Sequence, residues 1–393
     1  MSDTPPPFNV EKTQELATNA IARRDFDFAQ SLLSVLAEHE PLNVIRWINL
    51  AAVHRVGGRF GAALEALDKG LTAAPRDFFA LLMRASILDR QGDRSGPEAY
   101  GIALAQEPVG VELDLPTQHA VQRAKLVHKK YLESLREHLH ICMRAAQSDC
   151  TASEKSKLAA FVDDSLRLRK RFHQEPLQFY YPGLPSIAFY ERSFFPWLQD
   201  FEECSRAISE DLHNIVGKDL DGFIPYVDYD ESLPLDQWKE LNRNPDWGAF
   251  HLIKGGKVID SNARRCPRTM SALALLPQPN VPELGPAALF SALKPHTHIP
   301  PHHGISNTRL LVHLPLIVPE QCGFRVGNET RSWNAGSAFV FDDTIEHEAW
   351  NKSDQIRIIL IADVWSPFLT ASEKNAIAAC MGAVGHFPAE AVL

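Results

Sequence analysis

KPHTHIPPHHGISNTRLLVHLPLIVPEQCGFRVGNETRSWNAGSAFVFDDTIEHEAWNKSDQIRIILIADVW, residues 294–365, is the stretch whose reading decides the fold of this chain. Six of the sixteen histidines fall inside it: His296, His298, His302, His303, His313 and His347. Between them run β-branched and aromatic segments at 310–318, 323–326, 337–341 and 356–364. Turn-forming residues separate the segments: Pro319, Gly327-Asn328, 334–336 and 352–354. This pattern predicts short antiparallel strands joined by hairpins. A small barrel or double-sheet jelly roll carrying several histidines predicts in turn a mononuclear metal site.

The rest of the chain narrows the class. Its 393 residues suffice for two domains with real cores. Apolar content of 45% and charged content of 23% are those of an ordinary globular protein. A net charge of −9 argues against a general nucleic-acid binder, which carries a basic excess. The six cysteines are scattered with no CxxC spacing, as expected for reduced thiols. The opening residues, MSDTPPPFNVEKTQELA, lack a basic segment followed by an apolar one, and no apolar run reaches membrane-spanning length. A cytoplasmic protein without a membrane span is expected.

Residues 10–112 carry an internal repeat. Phe26 and Phe60 are 34 residues apart, as are Ala29 and Ala63, Ala51 and Ala85, and Gly58 and Gly92. Pro41, Pro75 and Pro108 recur at nearly that interval. This is the tetratricopeptide period, in which each unit is a helical hairpin. Two repeats are complete, with fragments on either side; Arg24 stands where the others have glycine, and Pro97 replaces the repeated alanine. A polypeptide partner on the repeat and a bare helical spacer both fit. From 116 to 172 the pattern stays helical, with an apolar stripe at Leu132, Leu135, Leu139 and Cys142 and a capping box at Thr151-x-x-Glu154. At Glu175-Pro176 proline and aromatic density rises. The expected domains are therefore 1–115, a tetratricopeptide-like repeat; 116–175, a helical connector; and 176–393, a β-rich domain.

The β-rich half resembles the aspartyl/asparaginyl β-hydroxylase family of Fe(II)- and 2-oxoglutarate-dependent oxygenases. The resemblance is carried by Pro301-His302-x-Gly304, Asn307-x-Arg309-Leu310-x-x-His313-Leu314 and Asn328-Glu329-Thr330-Arg331-x-Trp333. It continues through Phe341-Asp342-Asp343, Glu346-His347-Glu348-x-Trp350, Arg357 and Asp363-Val364-Trp365, and reaches back to 179–185. It implies a double-stranded β-helix (jelly-roll or cupin-like) oxygenase domain behind the helical repeat. It also implies iron held by His302 and His347 alone, since Gly304 stands where most such sites place a carboxylate. Asp343 would then hold a water at the vacant position. Of the neighbours His302 and His303 only one can face the metal from a strand, and the family match selects His302.

For the cosubstrate, the resemblance implies that Arg357 grips the distal carboxylate with Ser291, while His313 and Trp247 line the pocket. An arginine in an otherwise apolar strand is costly unless paired, which independently favours a ligand for Arg357. Arg309 is expected near the mouth, available to a substrate carboxylate, although Leu311 replaces a second basic residue of animal members. The expected activity is a 2-oxoglutarate-dependent dioxygenase hydroxylating a C–H bond. Its expected substrate is the β-carbon of an aspartyl or asparaginyl residue in a peptide or protein, or of a related amino acid. Two alternatives stand beside it: a repeat scaffold with a relic barrel, and a cupin-type metalloenzyme using His313 as a third histidine ligand.

Overall fold

Six helices of the first half pair into three hairpins: α1 (Val10–Ala22) with α2 (Phe26–His39), α3 (Val44–Val56) with α4 (Phe60–Ala73), and α5 (Phe78–Arg90) with α6 (Gly96–Leu104). The first helix of each hairpin starts 34 residues after the last, behind Asn9, Asn43 or Asp77. These side chains accept the N–H of Lys12, Ile45 and Ala80, meeting one of the orphan donors of each helix. Ala17, Ala51 and Ala85 recur at the same interval with no exposed surface, letting neighbouring helices approach closely. The structure therefore builds three repeats where the sequence supports two. The outer ones are disguised by single residues. Arg24 takes φ 61° where Gly58 and Gly92 take 74° and 70°, at a cost of roughly 1–2 kcal/mol for a residue with a Cβ. Pro97 lies in the first turn of α6, where its missing N–H costs nothing.

This computed structural model describes residues 8–216, 220, 222–232, 235 and 238–384. The chain forms two compact units, Met1–Leu168 and Arg169–Leu393. The first unit also contains α7 (Leu115–Arg144), which packs on α5 and α6 through Val121 and Ala124, and α8 (Ala152–Ser165), opened by the Thr151–Glu154 capping box. The expected stripe on α7 is half-buried at its leucines and exposed at Cys142, so that end adds no core residue. No helix among the described residues is long and apolar enough to cross a membrane.

The second unit contains α9 (Leu198–Glu203), α10 (Ser205–Ile215), α11 (Asp260–Ala263), α12 (Pro267–Leu273) and α13 (Ala371–Val384) around two antiparallel sheets. Its strands are β1 (Ile224–Pro225), β2 (Trp247–Lys254), β3 (Lys257–Val258), β4 (Ala288–Leu293), β5 (Thr297–His302), β6 (Arg309–Ile317), β7 (Cys322–Val326), β8 (Glu329–Arg331), β9 (Phe339–Phe341), β10 (His347–Asn351) and β11 (Arg357–Trp365). The larger sheet runs β1-β2-β4-β11-β6-β9, with β3 closing a hairpin on β2 through Gly255-Gly256. The smaller sheet runs β5-β10-β7-β8.

The larger sheet is buried on both faces. Phe250, Phe290, Val312 and Leu360 pack with Phe201, Ile208 and Leu212 of the helices. Trp247, Leu289, Ile359 and Ile361 pack instead with Ile299, Phe324, Val326 and Ala349 of the smaller sheet. Alternation along each strand thus splits the core into a helix side and an inter-sheet side. The functional residues lie on the second.

Candidate active site

Side chains of one strand face reach the same side at every second residue. On the larger sheet Trp247, Ser291, Arg309, His313, Arg357 and Asp363 are all odd-numbered and share the inter-sheet face of β2, β4, β6 and β11. Register brings them together: Ser291 lies opposite both Ala249 and Ile359, and His313 lies opposite Ile361. All of these but Asp363 line a cleft that the smaller sheet closes with His302 and His347.

His302 ends β5, His347 begins β10, and the two are direct cross-strand partners. Their ring centroids are 4.0 Å apart. Nδ1 of His302 is 2.7 Å from the Pro300 carbonyl, and Nδ1 of His347 is 3.1 Å from the Ile345 carbonyl. A carbonyl only accepts, so Nδ1 of each ring carries the proton and Nε2 keeps its lone pair. Burial drives both pKa values down, that of His347 to about 3 and that of His302 well below its ordinary value, with the His347 charge adding to the latter. Both rings are neutral near pH 7, the form that binds metals. His303 lies instead at the cleft's rim, 3.7 Å from Glu175. The exposed His296 and His298 pair with Asp354 and Glu348.

Arg357 is 1% exposed. Its Nε and one terminal nitrogen have no hydrogen-bond partner, and its guanidinium carbon lies 4.9 Å over the Trp333 ring. Burial lowers its pKa to about 10, so it stays charged at neutral pH. Beside it, Ser291 Oγ accepts the Trp247 indole N–H at 3.1 Å, leaving its own O–H to donate elsewhere. Trp247 is fixed by stacking on Tyr226, with centroids 4.0 Å apart. His313 is buried among Phe324, Phe339 and Phe341 with Nδ1 unpartnered. Burial, and then the Arg357 charge, hold its pKa well below the ordinary value.

Arg309 departs from expectation. It is not a free cation at the mouth but lies between two buried acids, 3.0 Å from Asp343 Oδ2 and 3.3 Å from Asp363 Oδ1. Desolvated carboxylates need a charged partner, and Arg309 serves both. Burial raises the pKa of each acid and Arg309 opposes the rise. Asp343 also explains Gly304: a Cβ on residue 304 would collide with the Asp343 carboxylate, which fills the room a side chain there would take. The Gly304 N–H donates to the Asp343 carbonyl at 2.6 Å, and Asp343 Oδ1 is buried without a partner.

Gln174 and Asn307 are supports that the sequence did not assign. The Gln174 amide bonds both Asp342 and Asn307, and Asn307 Oδ1 accepts the Tyr181 N–H, so the 174–181 segment braces the loops on either side of the histidines. Asn307 stood within the resemblance motif, but nothing in the sequence indicated its distant partners.

The cleft between the two antiparallel sheets thus sets paired neutral imidazoles on one against a buried guanidinium with unpartnered donors on the other. Residues 206–367 match the model of the family described as aspartyl/asparaginyl beta-hydroxylase. It is 34% identical over 154 residues to the human aspartyl/asparaginyl beta-hydroxylase, covering 39% of this chain and 20% of that protein. It is 32% identical over 196 residues to the ornithine lipid ester-linked acyl 2-hydroxylase of Rhizobium tropici, covering 49% of this chain and 66% of that protein. The chain thus spans about a fifth of the human relative's length and just under two thirds of the bacterial one's. The helical unit is similar to the Sgt2 TPR domain from Aspergillus fumigatus, with 22% identity, 34% of this chain and 84% of that one covered, and a TM-score of 0.28.

Proposed function

We propose that the second unit, read as a double-stranded β-helix, is an Fe(II)- and 2-oxoglutarate-dependent hydroxylase. The observation that carries this reading is Arg357, a buried cation with unpartnered donors in the cleft that also holds two neutral histidines. An unpaired buried guanidinium is expensive, and a carboxylate offers its planar fork two acceptors. A relic barrel would have no need of it. The donor set fits iron. His302 and His347 would hold the metal through Nε2, and the unpartnered Asp343 Oδ1 would anchor a water. Iron, when bound, supplies the oxidising chemistry, for which the balance is R–H + O2 + 2-oxoglutarate → R–OH + succinate + CO2.

The chain's own residues do the rest. Arg357 would grip the distal carboxylate of 2-oxoglutarate, Ser291 would donate to it with Trp247 fixing the hydroxyl, and His313 would line the pocket in neutral form. Phe324, Phe339 and Phe341 around His313 keep that end dry, which strengthens the ion pair. The same aromatic surroundings weigh against His313 as a third metal ligand. Among the described residues no group of three or more His, Cys, Asp and Glu side chains is arranged to hold a metal.

The relatives' names point to two substrate chemistries, an aspartyl or asparaginyl residue and an ester-linked acyl chain. A substrate carboxylate needs a free cation, and Arg309 is already held by two acids. The geometry therefore supports the reaction type further than it supports the aspartyl or asparaginyl β-carbon. A polypeptide partner for the helical repeat remains part of the proposal.

The test is anaerobic titration with Fe(II) and 2-oxoglutarate, reading the weak visible charge-transfer band of the complex. Wild-type protein and His303→Ala should develop the band, and His302→Ala and His347→Ala should not. Retention of tight iron by His302→Ala would end the assignment.

A further inference from the structure

A second cleft adjoins the histidine cleft and shares Tyr226, Ile305, Arg309, Leu311, Asp343 and Ile361 with it. Beyond that shared wall the lining turns apolar, with Val281, Leu284, Leu289, Trp365 and Met381. Its charged side chains are ion-paired with one another, with Arg309 Nη1 and Asp343 Oδ1 left without a hydrogen bond. Arg309 bridges Asp343 and Asp363, Asp363 Oδ2 accepts the Ala287 N–H at 2.7 Å, and the Ser306 and Thr308 hydroxyls are 2.8 Å apart. One arginine against two aspartates leaves a formal charge of −1 on that wall. A carboxylate approaching from this side meets repulsion and no free cation. A chain of methylenes meets matching surface and displaces only water.

We propose that this cleft seats an uncharged alkyl chain of the substrate and delivers one of its C–H bonds to the histidine cleft. The inference rests on the hydroxylase reading for the reaction, and on the cleft alone for the occupant.

The probes are neutral ω-bromoalkanoate methyl esters of eight, ten and twelve carbons, because bromine quenches tryptophan fluorescence and Trp365 lines the cleft. Quenching should saturate and vanish in Trp365→Phe, and affinity should rise about fourfold per added methylene until the cleft is full. Leu284 is 43% exposed, so Leu284→Arg should fold normally. It should weaken the twelve-carbon ester at least tenfold while 2-oxoglutarate binding is unchanged. In assays with Fe(II) and 2-oxoglutarate, the ester should stimulate succinate formation and a short aspartyl peptide should not.

Absent quenching, equal affinity in Leu284→Arg, or stimulation by the peptide alone would each overturn the alkyl occupant. Saturable quenching with no succinate under any condition would uphold the occupant and sink the hydroxylase reading. Succinate formation without quenching would do the reverse.

Discussion

Arg357 is the residue on which the site turns. Truncating one partner of a desolvated charge pair costs roughly 2–5 kcal/mol, so Arg357→Ala should raise the 2-oxoglutarate needed for half-saturation by at least thirtyfold while leaving iron bound. Arg357→Lys should recover only part of the loss, because an ammonium lacks the planar fork. Equilibrium titration checks both variants, and unchanged affinity in Arg357→Ala would refute the anchoring role. His251 offers a test in pH. Both its ring nitrogens are buried without partners, and burial lowers its pKa to about 4. The unfolded chain takes up a proton at its ordinary pKa near 6.5, before the folded chain does. Stability should therefore be full above about pH 6.5 and fall toward pH 4, by on the order of 1–3 kcal/mol from this residue. His251→Leu should flatten the decline in Tm over that window. At this scale Arg357 stood out by type and setting, as a lone cation in an apolar strand, whereas His302 and His347 were singled out from six histidines only by the family resemblance. Arg309 was legible as a cation but not as a committed one, because its partners lie far along the chain on the turn before β10 and on β11.

At the scale of elements, the turn holding Gly304 and the turn holding Asp343 fit as one piece. Gly304→Ala forces its methyl onto a carboxylate pinned by Arg309, so it should lower stability by about 1–3 kcal/mol, the usual cost of overpacking. Asp343→Ala in the same chain removes the clash, so the double variant should lose clearly less than the sum of the two single losses. Thermal denaturation of all four proteins decides this, and strict additivity would show that the two residues do not compete for the same space. The strands themselves were unevenly legible. β6, β7, β9 and β11 were read from β-branched runs between turns, within a few residues of their ends. β4 was not read, because Ala288–Leu293 is buried on both faces and shows no polar alternation to mark it as a strand. Pro300 and Pro301 argue against a central strand, and β5 is tolerated because it lies at the edge of its sheet.

The whole molecule divides its cores as it divides its chain. Leu33, Leu36, Trp47 and Leu67 anchor the helical unit, whereas Phe201, Phe250, Phe290 and Leu360 anchor the β-rich one. A fragment of residues 169–393 should therefore fold, bind Fe(II) and give slow 2-oxoglutarate turnover without the repeat. Insolubility of that fragment beside a stable full chain would mean that the two units fold as one. The three-repeat architecture was legible as a period but undercounted, since single residues such as Arg24 and Pro97 break the pattern without breaking the hairpin. One further consequence follows from where the site's halves are mounted. The paired imidazoles belong to the smaller sheet, and Arg357 and Ser291 belong to the larger. Whatever is gripped at both ends spans the sandwich like a tie-rod. Filling the cleft would then stiffen two layers at once, and amide exchange would slow together in β10 and β11, strands that share no hydrogen bond.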